Sequence, residues 1–190
     1  MKKILALMFS CMLTLTASAQ EHLTFKGIPI DGKLTEFVNK LKAQGFIEIK
    51  VNNDSAIMKG DFSGKNCEII MYASKKSNIV YQVGAILEKD DSWGVLKSTY
   101  DEYKSLLNSK YEEGQTIEFF KSPYEEGDGY EMTALRNNKC IYCTRYELQN
   151  GIITLLIAEV SNGSVALFYA DKINEALAER EKSSQQISDL

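Results

Sequence analysis

Apolar residues recur at helical spacing in three parts of the chain, and each part predicts one helix. The first helix has Leu34, Phe37, Val38 and Leu41 at i, i+3, i+4 and i+7, and Gly45 follows as its terminating residue. The second follows the capping residues 90–92, and its stripe, with spacings of three and four, consists of Trp93, Leu96, Tyr100, Tyr103 and Leu107. An aromatic stripe at this spacing indicates core packing rather than a ligand shelf.

The third helix is predicted to begin at Asp171, with Ile173, Ala176 and Leu177 on its apolar side. From Glu179 the chain is polar, so residues 179–190 are predicted to fray.

Runs rich in β-branched and aromatic residues, separated by turn residues, predict antiparallel strands between these helices. They follow a short extended segment that ends near Pro29, and they cover residues 46–51, 56–62, 67–73, 79–87, 116–120, 139–147, 152–160 and 165–170. Asn150-Gly151 and Asn162-Gly163 are strong hairpin signals. The run 152–160 is apolar nearly throughout, which predicts a central strand covered on both faces.

This order of elements predicts an α+β fold, with an antiparallel sheet and helices on one face. Residues 20–178 form one domain, with halves at about 20–90 and 91–178 that each hold one helix followed by about four strands. The arrangement resembles tandem helix-plus-sheet modules such as the beta-lactamase inhibitor protein and TATA-binding-protein-like folds. A shared fold does not fix a function.

The first nineteen residues have the pattern of a secretory signal peptide. Lys2 and Lys3 precede an apolar run from residue 4 to 15, and Ala17-Ser18-Ala19 fits the small-x-small cleavage site. The run is too short to span a bilayer. Lipidation at Cys11 is the alternative, and bulky Phe9 before that cysteine disfavours it. We therefore expect cleavage after Ala19 and a periplasmic or secreted protein.

The stretch "HLTFKGIPIDGKLTEFVNKLKAQGF", with a strand-rich run and a helix ending in "LLNSKY", is similar to a group of uncharacterised exported proteins from gut-dwelling Gram-negative bacteria. The resemblance covers the signal peptide and about the first half of the mature chain. It implies export and an α+β fold. The group has no established activity, so no reaction is implied.

The charge pattern disfavours polyanionic partners. The net charge is −4, and the loss of Lys2 and Lys3 makes it −6. The densest basic cluster is Lys75-Lys76, which predicts that neither nucleic acid nor an anionic membrane surface is a partner. The glycines form no phosphate-binding motif, so no nucleotide cofactor is predicted.

Three cysteines remain in the mature chain, Cys67, Cys140 and Cys143. A redox Cys-x-x-Cys motif needs its first thiolate at a helix N-terminus, whereas this one lies on a predicted strand, where residues three apart face opposite sides. Buried, unreactive thiols are therefore the main prediction. The alternative is a disulfide from Cys67 to Cys140 or Cys143, which an oxidising compartment would allow.

The sequence contains few groups of residues that are typical of catalytic sites. His22 is the single histidine and lies two residues beyond the predicted cleavage site, where a catalytic triad would lack a rigid support. One acidic residue, Glu159 at the end of a strand, stands in an apolar setting, and exposure at the strand end is the favoured interpretation. No catalytic residue, metal site or cofactor is predicted.

One loop is rich in acidic and aromatic residues. Its candidate partner-binding residues are Tyr124, Glu125, Glu126, Asp128 and Tyr130. The acidic spacing matches no EF-hand, so a solvated loop is favoured over a calcium site. The flanking tyrosines suit contact with a protein or a glycan.

The main hypothesis is thus a non-enzymatic binding module that meets a protein or glycan partner in the cell envelope. Its expected working surface is the uncovered sheet face together with the loop 124–130. A carboxylate-dependent extracytoplasmic hydrolase is the first alternative, and it requires two buried carboxylates roughly 5–10 Å apart. An envelope assembly or inhibitor protein is the second alternative.

Overall fold

The computed structural model describes residues 21–159 and 163–188. The helices are α1 (Leu34–Ala43), α2 (Trp93–Lys110), α3 (Glu131–Arg136) and α4 (Lys172–Ser188). The strands of the first half are β1 (Thr24–Phe25), β2 (Ile28–Pro29), β3 (Ile47–Val51), β4 (Ser55–Phe62), β5 (Lys65–Ala73) and β6 (Val80–Leu87). Those of the second half are β7 (Gln115–Phe120), β8 (Cys140–Leu148), β9 (Gly151–Ala158) and β10 (Ser164–Asp171).

Eight strands form one antiparallel sheet in the order β3-β4-β5-β6-β10-β9-β8-β7, and β1 and β2 form a separate two-stranded sheet. The last strands of the two halves, β6 and β10, pair in the centre, with Ala85 opposite Leu167. Each half is a helix followed by a four-stranded meander. The predicted α+β class with an antiparallel sheet is confirmed.

Helices α1 and α2 cover the same face of this sheet, called here the helix face. Helix α1 packs on this face through its four stripe residues, which are all buried. Gly45, at φ 91°, lets the chain turn directly from α1 into β3. The ring of Phe46 then lies against Gly60 of β4, where a Cβ would come within 2.4 Å of it.

The stripe of α2 is core, as its spacing predicts. Leu96, Tyr100, Tyr103 and Leu107 are buried, and the hydroxyl groups find partners inside the protein. The Tyr100 hydroxyl lies 2.6 Å from Oγ1 of Thr144, and the Tyr103 hydroxyl donates to the carbonyl oxygen of Phe62 at 3.2 Å. Satisfied hydroxyls remove the cost of burying polar atoms among aromatic rings.

Several predicted boundaries differ from the structure. The hairpin between β8 and β9 is present, but its loop is Gln149-Asn150, because Gly151 already pairs with Leu148. Asn162 lies outside the described residues. The short helix α3 was not predicted from the sequence.

The predicted fraying of 179–190 is corrected over the described part, because α4 continues to Ser188. The side chain of Glu181 on this helix accepts hydrogen bonds from the backbone N–H groups of Lys76 and Ser77, each at 3.2 Å. This link joins a polar stretch of helix to the turn between β5 and β6. A polar helix is thus held by side-chain bonds where apolar packing is thin.

Candidate functional site

The face of the sheet opposite α1 and α2, called here the open face, carries alternate residues of every strand. Strand β9 shows the alternation clearly: Gly151, Ile153, Leu155 and Ile157 are buried on the helix face, whereas the residues between them are half-buried. The prediction that β9 is covered on both faces is therefore wrong. Strands β6 and β10 occupy the centre of the sheet, and β9 is the strand beside β10.

A band of apolar side chains, called here the apolar strip, crosses the open face from β4 to β7. Register shows that it is continuous. In one row Ile57 lies opposite Ile70, and the next row runs from Ile86 through Leu156 to Ile117. The strip consists of Ile57, Ile70, Ile86, Ile117, Phe119, Ile141, Cys143, Leu156 and Phe168. With strands about 4.8 Å apart, it extends for roughly 29 Å.

Exposure increases along the strip towards β7. Ile86 is 9% exposed in the centre, whereas Ile141, Phe119 and Ile117 are 37%, 39% and 56% exposed. Contiguous exposed apolar surface of this extent is typical of protein–protein interaction sites.

Phe168 lies in the centre of the strip, and Gly84 explains how. A Cβ at Gly84 would come within 2.5 Å of the Phe168 ring, so glycine allows the ring to lie against strand β6. The ring is thereby fixed on the most central pair of strands. A side chain held in one position contributes to binding without a large entropic cost.

Charges of both signs border the strip. Lys50 and Lys59 lie on the β3–β4 side with Glu68, and Arg145 and Glu147 form an ion pair at 3.2 Å on β8. A mixed border favours neither a polyanion nor a polycation as partner.

A groove of about 640 Å³ lies beside the strip, between α4 and the ends of β4 and β5. Its floor includes Tyr72 and Tyr81, and its α4 wall includes Glu175, Glu179 and Lys182. Burial raises the pKa of Tyr81, and the neighbouring Tyr72 and Asp54 add to this effect. The tyrosine therefore stays neutral and can act as a hydrogen-bond donor.

The loop 124–130 lies on the helix face and not beside the apolar strip. Tyr124 packs against the core, and burial together with Glu126 raises the pKa of Tyr142, a residue that contacts Tyr100 of α2 edge-on. Tyr130 is 62% exposed. The loop and the uncovered sheet face, which the sequence predicts to form one working surface, thus lie on different faces of the sheet.

Two carboxylates at this loop, those of Asp128 and Glu131, accept hydrogen bonds from its own backbone. The Asp128 carboxylate accepts from the N–H groups of Glu125 and Tyr130 at 2.9 and 2.7 Å, and the Glu131 carboxylate accepts from that of Gly127 at 2.8 Å. Within the described residues, no group of three or more His, Cys, Asp or Glu side chains is placed to hold a metal ion. These carboxylates act as turn-forming groups.

The three cysteines within the described residues are free, and the topology contradicts the alternative of a disulfide between Cys67 and Cys140 or Cys143. Cys67 is on β5, whereas Cys140 and Cys143 are on β8, with three strands between them. Four strand spacings amount to about 19 Å, and a disulfide needs Cα atoms within about 7 Å. As predicted, Cys140 and Cys143 face opposite sides, the first buried on the helix face and the second half-buried on the open face.

Thiol labelling checks this placement. Burial raises the pKa of Cys67 to about 11 and that of Cys140 to about 12, and it also raises that of Cys143, which is more exposed than the other two. We expect all three thiols of the folded protein to resist an aromatic disulfide reagent at pH 8, with Cys143 reacting at least tenfold faster than the others. Cys143→Ser should remove the fast phase, and a fast phase that persists in this variant contradicts the assignment.

His22 is part of an anchor that the sequence did not reveal. Its Nδ1 lies 3.1 Å from Oδ1 of Asp171 and its Nε2 lies 3.6 Å from Oδ2 of Asp31. Asp171 is fully buried and also accepts from the backbone N–H groups of Leu23, Ile173 and Asn174 at 2.8 to 3.1 Å. The carboxylate thus caps α4 and holds the N-terminal segment against it. The expectation that His22 lacks rigid support is wrong.

Asn174 completes this anchor. Its side-chain amide donates to the carbonyl oxygens of Ile30 and Val80 and to the Asp31 carboxylate, at 2.9 to 3.2 Å. Burial alone would raise the pKa of Asp31, but hydrogen bonds from Gly32 and Asn174 and the nearby His22 keep it below its usual value.

The hydrolase alternative requires two buried carboxylates, and Asp171 is the single acidic residue that is buried within the described part of the chain. Its oxygens are occupied by the bonds that cap α4, and Asp31 is 47% exposed in its side chain. Glu159 is exposed at the end of β9. This geometry gives the hydrolase alternative no support.

The sequence predicts the uncovered sheet face as a working surface, but it does not reveal the apolar strip that crosses this face. Two features of the sequence nonetheless indicate the strip. Strand β9 has more apolar residues than the alternate positions that one covered face requires, and the short strand β7 contains Ile117 and Phe119.

The comparisons with known proteins add no relative. No protein-family model matches the chain, and neither a curated protein nor a solved structure matches it significantly. Among the described helices, none combines the length and the apolar character needed to cross a membrane.

Proposed function

We propose that this protein is a non-enzymatic binding module whose working surface is the open face, and that its partner is another protein. The observation that carries the proposal is the apolar strip, a continuous band of nine residues on the side of the sheet opposite α1 and α2. Burying such a band is favourable by about 25 cal/mol for each Å² of apolar surface. Any covering partner gains this free energy.

The chemistry of the strip favours a protein over a glycan. Six of its nine members are aliphatic, and apart from the Cys143 thiol they offer no side-chain hydrogen-bond group to a sugar. Phe168 on Gly84 provides a rigid aromatic anchor in the centre, surrounded by isoleucine and leucine side chains. Central apolar anchors with a polar border are the usual anatomy of a protein interface.

The scaffold suits this role because strand positions in a packed sheet move little. The strip lies on strands that pair continuously from β4 to β7, backed by the core on the helix face. A preformed surface loses little conformational entropy on binding. With export expected from the first nineteen residues, we place the partner in the periplasm or outside the cell.

Site-specific photo-crosslinking in cells that express the native gene tests the proposal. A photoreactive phenylalanine analogue is placed at Ile141 or Ile70 on the open face and, as a control, at Leu106, which is 52% exposed on α2. We expect a discrete crosslinked protein from the open-face positions and none from Leu106.

A second substitution makes the result specific. Phe168→Lys on the same chain should reduce the crosslinked product at least tenfold, because it replaces the central anchor by a charge. Thermal unfolding of this variant checks that the sheet remains folded. Equal crosslinking from Leu106 and Ile141, or a product that is insensitive to Phe168→Lys, refutes the open face as the binding surface.

A further inference from the structure

The two edge strands of the sheet differ in how they are protected against further pairing. The register of β3 with β4 shifts between Glu48 and Lys50, and such a bulge distorts the edge. The pairing of β7 with β8 is continuous over six residue pairs, from Gln115 to Phe120. Natural proteins disrupt exposed edges with bulges, prolines or free charges, and β7 contains no bulge and no proline.

The charge on β7 is also neutralised within the chain. Glu118 is the only ionisable residue of this strand, and Nζ of Lys104 lies 2.7 Å from its Oε1. Ile117 and Phe119 remain 56% and 39% exposed. An unbroken edge strand whose one charged residue is paired, and whose open-face side carries exposed apolar side chains, is a template for another strand.

The hydrogen-bonding groups available at this edge follow from the pattern of the ladder. The N–H group of Lys121, directly after β7, donates to the carbonyl oxygen of Lys139, directly before β8, at 2.7 Å. Antiparallel residues alternate in direction, so Ile117 and Phe119 also direct their backbone groups towards β8. Thr116, Glu118 and Phe120 direct theirs outward.

We propose that β7 pairs antiparallel with β7 of a second copy of this chain, with Ile117 on the two-fold axis. In this register Thr116 lies opposite Glu118 of the second copy, and both contribute outward N–H and C=O groups to the new ladder. Gln115 lies opposite Phe119. The interface is isologous, since each pairing occurs twice.

Charge and continuity favour this arrangement. The neighbouring register places Glu118 opposite its own copy, and like charges directly opposite each other are destabilising. Pairing through Ile117 also joins the two apolar strips end to end, because the most exposed members of each strip lie at β7. The result is a sixteen-stranded sheet with one continuous open face. This assembly does not depend on the proposed partner, although it would double that partner's binding surface.

Cysteine crosslinking tests the register in the mature chain from Gln20 onward. The background is Cys143→Ser, because Cys143 lies opposite Ile117 in β8 and would compete for it. In a non-hydrogen-bonded antiparallel pair the Cα atoms are about 4.5 Å apart, so Ile117→Cys should oxidise to a covalent dimer. Glu118→Cys lies about 8 Å from its copy in this register and should not. Efficient crosslinking of Glu118→Cys, or none with Ile117→Cys, overturns the proposal.

Sedimentation equilibrium tests the interface without an added cysteine. Ile117→Lys brings two positive charges together at the axis, and we expect the dimer dissociation constant to rise at least tenfold. Ile47→Lys is the matched control, the same change at a residue 71% exposed on the opposite edge strand, and it should leave the constant unchanged. A wild-type protein that is monomeric at about 200 μM, the range of a weak dimer, overturns the proposal, as does a dimer that dissociates on Ile47→Lys. Neither outcome affects the proposed binding of a different protein, because crosslinking from Ile141 tests that binding separately.

Discussion

Asp171→Ala is expected to lower the free energy of unfolding by about 3–5 kcal/mol. The carboxylate accepts hydrogen bonds from His22 and from three backbone N–H groups, and it is fully buried. Its removal leaves buried donors without an acceptor, and each such donor costs about 1–3 kcal/mol. The loss also uncaps α4 and releases the segment that contains Leu23. Urea unfolding followed by circular dichroism measures the change.

Two control variants separate the buried carboxylate from charge alone. Asp171→Asn retains one acceptor oxygen and replaces the other with an amide group that cannot accept from Leu23, so we expect an intermediate loss. Asp91→Ala removes an exposed carboxylate near the start of α2 and should change stability by less than about 0.5 kcal/mol. If Asp171→Ala is no more destabilising than Asp91→Ala, the anchor does not hold the fold together.

The elements of the fold could be predicted because local patterns determine them. The four-residue stripe of α1 and the aromatic stripe of α2 each specify one buried face, and Gly45 specifies where α1 ends. Residues of the four-strand meanders alternate strongly enough to place strands within one or two residues. The α+β class follows from the order of these elements alone.

Pairing between distant segments could not be predicted. The contact of His22 with Asp171 joins residues 149 positions apart, and nothing local to either residue indicates it. The continuation of α4 to Ser188 depends in part on the bonds of Glu181 to the turn at Ser77. In both cases, polar side chains contribute stability that an apolar pattern does not display.

In the candidate site, too, local composition and the arrangement of distant strands give different indications of the working surface. The loop 124–130 is conspicuous in the sequence for its acidic and aromatic residues, but its Asp128 carboxylate accepts hydrogen bonds from the loop's own backbone. The apolar strip has ordinary composition, and its members come from seven strands. Only the strand order β4-β5-β6-β10-β9-β8-β7 makes them neighbours. A surface of this kind becomes visible when register is known.

The largest effect of pH is expected in alkaline solution. As the pH is raised, the protein should unfold before the pH reaches about 12. Burial raises the pKa of Cys67 to about 11 and those of Cys140 and Tyr103 to about 12, from ordinary values of 9.0 for the thiols and 10.0 for the phenol. Burial also raises the pKa values of the tyrosines at 100, 142 and 169. All six groups are therefore neutral in the folded protein at pH values where the unfolded chain has ionised.

Because of this difference between the folded and unfolded pKa values, the free energy of unfolding decreases as the pH rises. A group with a raised pKa contributes its full stability below the unfolded pKa, and this contribution is lost as the pH rises towards the folded pKa. Each such group lowers the free energy of unfolding by about 1.4 kcal/mol per pH unit in that window. Several groups acting together between pH 9 and 11 remove about 5–10 kcal/mol, which equals the whole stability of many domains. Tyrosinate absorbance should rise together with the loss of circular dichroism.

A single buried tyrosine tests the mechanism. Tyr103→Phe loses the hydrogen bond to Phe62 and should cost about 1 kcal/mol at pH 7. Between pH 10 and 11 its stability should fall less steeply than that of the wild type, by up to about 1.4 kcal/mol per pH unit, because one ionising group is gone. Tyr130→Phe removes a phenol that is 62% exposed and should leave the slope unchanged. If the slopes of the two variants are the same, burial of the Tyr103 phenol is not what makes the fold sensitive to alkali.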